Sequence, residues 1–102
     1  MPFHIKIHEL AHEEYIKAYG WYEDRQAGLG IQFMNQVEQT LDRISQYPQQ
    51  YTKVKLTYRK GIVKGFPYVV IFEFFPKSKI IHVASIRHMK QGKRGRYRRR
   101  RA

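Results

Sequence analysis

The chain contains no cysteine. A disulfide scaffold and a thiolate zinc site are therefore excluded. It also lacks a long apolar run. The most apolar stretch, Tyr68–Phe75, is interrupted by Glu73 and is far too short to cross a bilayer. Met1–Leu10 has no apolar core of the kind a signal peptide needs. These absences suit a cytoplasmic protein with no membrane partner. No internal repeat or low-complexity linker interrupts the chain before its C-terminal segment, and its 102 residues suffice for one domain with one core.

Acidic residues are scarce, and their scarcity is one-sided. There are 8 Asp and Glu against 20 Lys and Arg, giving a net charge of +12. Residues 1–50 carry a net −3, whereas residues 51–102 carry +15 and hold Glu73 as their sole acid. Charge of this size points to an anionic partner, and the second half of the chain must supply the surface that meets it.

What is present is regular hydrophobic patterning. Phe3-His4-Ile5-Lys6-Ile7 alternates, which predicts a short strand. From His8 to about Gln26, Ala11, Tyr15, Ala18 and Tyr22 fall on one helical face. The neighbouring aromatics Tyr19 and Trp21 are expected to join the core between helix and sheet. Gly28 suits a left-handed helix cap. A second helix is expected from about Ile31, with Met34, Val37, Leu41 and Ile44 at helical spacing, and Pro48 ends it. Two helices joined by a short Gly loop form an antiparallel hairpin.

Beyond Pro48 the period becomes two. Val54, Leu56 and Tyr58 predict one strand, with Gly61 as a bulge. Phe66-Pro67 opens a second strand through Phe75, and Ile80–Ile86 forms a third. The expected fold is α+β with order β-α-α-β-β-β, a helical hairpin packed on an antiparallel sheet. Residues 1–88 form the domain. Residues 89–102 form a basic C-terminal tail with no apolar period, carrying Lys90, Lys93, Arg94, Arg96 and Arg98 to Arg101 around Tyr97.

Several strings, in this order and at this length, resemble the RelE/ParE superfamily of type II toxin–antitoxin toxins. They are Trp21-Tyr22-Glu23, then Gly28-Leu29-Gly30 with Phe33 and Val37-Glu38, then Ile44 with Pro48. Arg59, Phe66-Pro67-Tyr68 and the last strand ending at His88 follow, with an aromatic, Tyr97, in basic surroundings. The resemblance implies a small toxin neutralised by a cognate antitoxin protein. Relatives that resemble RelE cleave mRNA on the ribosome, whereas those that resemble ParE poison DNA gyrase without nuclease chemistry. Phe66-Pro67-Tyr68 fits both groups. Tyr97 departs from the superfamily pattern, which often has Trp there after a Pro, and this chain has no Pro beyond Pro76.

Metal-free RNA cleavage requires proton removal from the 2′-hydroxyl, stabilisation of the charged phosphorane and protonation of the leaving oxygen. No cofactor or metal is expected. By resemblance, Arg59 clamps phosphate, His88 transfers a proton, and Tyr97 stacks on a base or assists that transfer. Lys53, Lys55, Lys60, Lys64, Arg87, Lys90 and Arg94 supply the phosphate-binding surface, with the strand lysines sharing one sheet face. Each has a plainer alternative: Arg59 paired with a helix carboxylate, His88 capping a strand end, Tyr97 anchoring the tail, the lysines a solvated face. His8 and His12 stand four apart on the first helix, a metal-like spacing without an evident third ligand. The first expectation is a ribosome-dependent mRNA endoribonuclease toxin. The alternatives are a gyrase poison of ParE type and a basic RNA-binding module that is not a toxin.

Overall fold

In the computed structural model, residues 3–91 are described, so Tyr97, Arg94 and most of the basic tail lie outside the described residues. The elements are β1 (His4–Ile7), α1 (Glu9–Arg25), α2 (Leu29–Gln46), β2 (Thr52–Lys55), β3 (Tyr58–Ile62), β4 (Tyr68–Phe75) and β5 (Ile80–His88). Short 3-10 turns cover Pro48–Gln50 and Met89–Gln91. The five strands form one sheet in the order β1-β5-β4-β3-β2. The pairing is antiparallel from β2 to β5, and β1 joins β5 in parallel. The expected α+β architecture is present, with one strand more than the pattern suggested.

That extra strand arises at Leu56-Thr57. Alternation through Val54, Leu56 and Tyr58 reads as a continuous strand, but Leu56 takes φ 55 and the chain reverses there. Lys55 then faces Tyr58 across a two-residue loop, leaving Leu56 exposed. Gly61 is no bulge. It pairs regularly with Val70, and a Cβ there would stand 3.0 Å from Ile44 Cδ1, so close packing under α2 explains the glycine. The register shifts fall instead between Lys53 and Lys55 and between Ile71 and Phe72. Phe66 and Pro67 precede β4 rather than opening it.

α1 starts one residue after His8, whose Nδ1 accepts the Leu10 N–H at 3.0 Å as an N-terminal cap. α2 begins at Leu29, earlier than the apolar spacing indicates, because Gly28 at φ 90 turns the chain directly into it. Both helices lie on one face of the sheet. Ala11, Tyr15, Ala18, Phe33, Val37, Leu41 and Ile44 meet Val63, Val70, Phe72, Ile81, Val83 and Ile86 in one buried cluster. This apolar contact is the main stabilising term. Tyr58, Val69, Ile71 and Ala84 form a smaller cluster on the opposite face. Trp21 is not core: it is 52% exposed, with the Arg25 guanidinium 4.0 Å from its ring centroid.

Candidate functional site

β5 outlasts its neighbour β1, and this mismatch builds the site. β1 ends at Ile7, and the His8 N–H donates to the Val83 carbonyl at 2.9 Å before the chain turns into α1. Beyond Val83 the open edge of β5 is met by α1. Glu14 Oε1 accepts the Ile86 N–H at 3.0 Å and the Ser85 hydroxyl at 2.8 Å. A carboxylate thus replaces the missing strand and leaves no bare edge donor at Ile86.

A groove of about 800 Å³ opens between this part of α1 and the end of β4 and β5. Glu14, Lys17, Ala18, Trp21 and Tyr22 line it from α1; Tyr68, Ile86 and His88 line it from the sheet, with Pro67 and Lys90 at its margin. Aromatic packing shapes the walls. Tyr22 stacks edge-on against Phe66 at 5.0 Å and lies 6.1 Å from Tyr68. The His88 ring stands edge-on to Tyr68 at 5.2 Å. Burial raises the Tyr68 phenol above its ordinary value, and the nearby Tyr22 and Glu14 push the same way. Burial also raises Tyr22. Both hydroxyls therefore remain neutral donors at physiological pH.

Among the described residues, those singled out from the sequence do not converge. His88 borders the groove, and its Nδ1 accepts the Lys90 N–H at 3.0 Å. That bond holds the proton of the neutral ring on Nε2 and uses the lone pair a general base needs. His88 acts here as a cap on the Met89–Gln91 turn. Arg59 is the second residue of β3, where its Nη1 donates to the Tyr51 carbonyl at 2.7 Å and reaches the Gln49 carbonyl at 3.5 Å. The guanidinium latches the Pro48–Gln50 turn rather than pairing with a helix carboxylate. Arg59 faces Phe72 and His88 faces Tyr68 on the intervening β4. Their rows are roughly 13 Å apart along the strand, and β3 and β5 are about 10 Å apart across the sheet. One phosphodiester does not span both.

The lysines also divide. Lys53 is the cross-strand partner of Arg59, on the helix side of the sheet. Lys60 faces Ile71 on the opposite side, and Lys55 flanks the β2–β3 turn. Lys64 is exposed in the loop before β4. Among the described residues, Lys90 alone of the expected phosphate ligands joins His88 at the groove. Arg87 is buried, its Nε donating to the Ser85 hydroxyl at 2.9 Å, in line with Glu14. His8 is occupied as a helix cap, its ring edge-on to His82 at 5.7 Å. Among the described residues no three His, Asp or Glu side chains gather as a metal site. No described helix is long and apolar enough to cross a membrane.

Sequence reasoning missed Glu14, Lys17 and Tyr68 as partners of His88. Helical spacing places Glu14, Lys17 and Trp21 along one stripe of α1, three and four residues apart. The pairing of that stripe with the end of β5 is a tertiary fact with no local signal.

Residues 5–92 match the family model described as ParE toxin of type II toxin-antitoxin system, parDE. A search of curated proteins returned no match. With the helical hairpin, the antiparallel-dominated sheet and that match covering most of its length, the chain belongs to the ParE family of type II toxin–antitoxin toxins.

Proposed function

We propose that this toxin acts by binding, as a poison of DNA gyrase, and not by cutting RNA. Family membership brings an antitoxin partner with it. The target is the finer question, and the separation of Arg59 from His88 carries the reading. A metal-free nuclease needs a phosphate clamp and a proton-transfer group on the same phosphodiester. Here the clamp candidate is turned to backbone carbonyls and the proton-transfer candidate has its basic nitrogen engaged. The remaining surface is suited to recognition: an aromatic groove with lysines at its mouth and strand lysines spread over both sheet faces. A cytoplasmic setting follows from such a target.

The competing reading, a ribosome-dependent endoribonuclease, draws on the basic second half of the chain. Purified protein added to gyrase, supercoiled plasmid and ATP separates the two. Accumulation of linear plasmid covalently held by gyrase supports poisoning. Unchanged supercoiling at stoichiometric excess of toxin refutes it.

A further inference from the structure

The groove beside α1 has a chemistry more specific than a general protein-binding surface. Trp21, Tyr22, Tyr68 and His88 contribute four rings to its lining. The two phenols are neutral donors, and the His88 tautomer set by Lys90 leaves a third donor at Nε2. Lys17 and Lys90 supply two cations. The acid in the lining, Glu14, has Oε1 turned into the sheet edge, held by Ser85 and Ile86. A volume of about 800 Å³ accommodates a nucleotide.

We infer that this groove takes an unpaired base of single-stranded DNA, stacked on its aromatic lining, with the flanking phosphates held by Lys17 and Lys90. Aromatic platforms combined with cations are the general means of gripping unpaired strands, because every base has a π-face. A duplex does not suit the site, since its base faces are already stacked and it offers an aromatic ring only its backbone and groove edges. The balance of the lining favours deoxyribose. Ala18, Trp21, Pro67 and Ile86 are apolar and offer a 2′-hydroxyl no partner, and Glu14 Oε1 is already held by Ser85 and Ile86. This site is separate from the gyrase proposal, because free oligonucleotide suffices to detect it.

The chain carries a built-in reporter, for its single tryptophan is Trp21. Full-length protein is titrated with an oligodeoxythymidylate of about ten nucleotides. The same length of abasic deoxyribose-phosphate and of oligouridylate serve as comparisons. Saturable quenching of Trp21 is expected, with the abasic strand binding at least about tenfold more weakly and the RNA strand no tighter than DNA. With a labelled strand read by anisotropy, Trp21→Ala is expected to weaken binding about 5- to 100-fold. Lys17→Ala is expected to reduce the salt slope by about one. Both positions are on the surface of α1, and circular dichroism checks that the variants fold. The inference is overturned if the abasic strand binds as tightly as the base-bearing one, if RNA is preferred, or if Trp21→Ala binds like the parent. The first and third outcomes would place the affinity in unselective basic charge, and the second would place it on the ribose.

Discussion

Glu23 takes over a task that the residue at the head of α2 cannot perform. Gly28 occupies the cap position and has no side chain to offer. From the last turns of α1, Glu23 Oε2 accepts the Gly28 N–H and Oε1 the Gly30 N–H, each at 2.9 Å. The carboxylate also lies at the positive end of the helix dipole. A Cβ on Gly30 would stand 2.7 Å from Glu23 Oε1 and from the Tyr19 carbonyl, so the glycine allows this approach. Glu23→Ala is expected to cost about 1–3 kcal/mol, measured as a lower urea midpoint with an unchanged slope. The strings Trp21-Tyr22-Glu23 and Gly28-Leu29-Gly30 were legible as motifs, but the bond joining them was not, because it crosses a helix corner.

Tyrosines set the response to alkali. Tyr15 donates to Glu38 Oε2 at 2.8 Å, and burial, then that bond and the carboxylate charge, raise its phenol well above 10.0. Burial raises Tyr22, Tyr51 and Tyr68 as well. In the unfolded chain these phenols ionise near pH 10, while in the folded protein they hold their protons to higher pH. Their contribution is therefore complete below pH 10 and declines as pH rises above it. Thermal midpoints followed from pH 8 to 11 should fall above about pH 10. Tyr15→Phe should flatten that fall, since it removes the most perturbed phenol.

At the scale of elements, the β2–β3 hairpin shows where local patterning misleads. Period-two hydrophobicity runs unbroken through Leu56, yet Leu56 is 79% exposed at φ 55. The turn is imposed from outside the segment. Tyr58 must pack with Val69 and Ile71, and the Thr57 hydroxyl donates to Glu73 Oε2 at 2.6 Å. An L-residue at positive φ is strained, and glycine is favoured at such a turn position. Leu56→Gly is expected to stabilise the protein by about 1 kcal/mol, raising the melting temperature by roughly 4–8 °C in calorimetry. The longer elements were legible because their apolar spacing and their burial coincide: Phe33, Val37, Leu41 and Ile44 all enter the core. The groove was not, since Glu14 and His88 are brought together only by the early end of β1.

Across the whole molecule, charge and fold divide in the same way. The helical hairpin comes from the half of the chain with net −3, and most of the sheet from the half with +15. Seven of the 20 basic residues lie within 93–101. Removal of residues 93–102 should weaken antitoxin binding and flatten its dependence on salt, because fewer counterion-like contacts remain. Calorimetric titration at two ionic strengths reads both effects. The expectation of a nuclease rested on Arg, His and Tyr as residue types. Of these, Arg59 and His88 lie toward opposite ends of the sheet.

The most direct test of action by binding is made on ribosomes in cells. The protein is induced, growth is allowed to stop, and ribosome-bound mRNA ends are mapped. Intact messages on ribosomes, alongside chromosomal DNA trapped in cleaved complexes with gyrase, are the predicted result. Messages cut within the ribosomal A site, with gyrase unaffected, would contradict it.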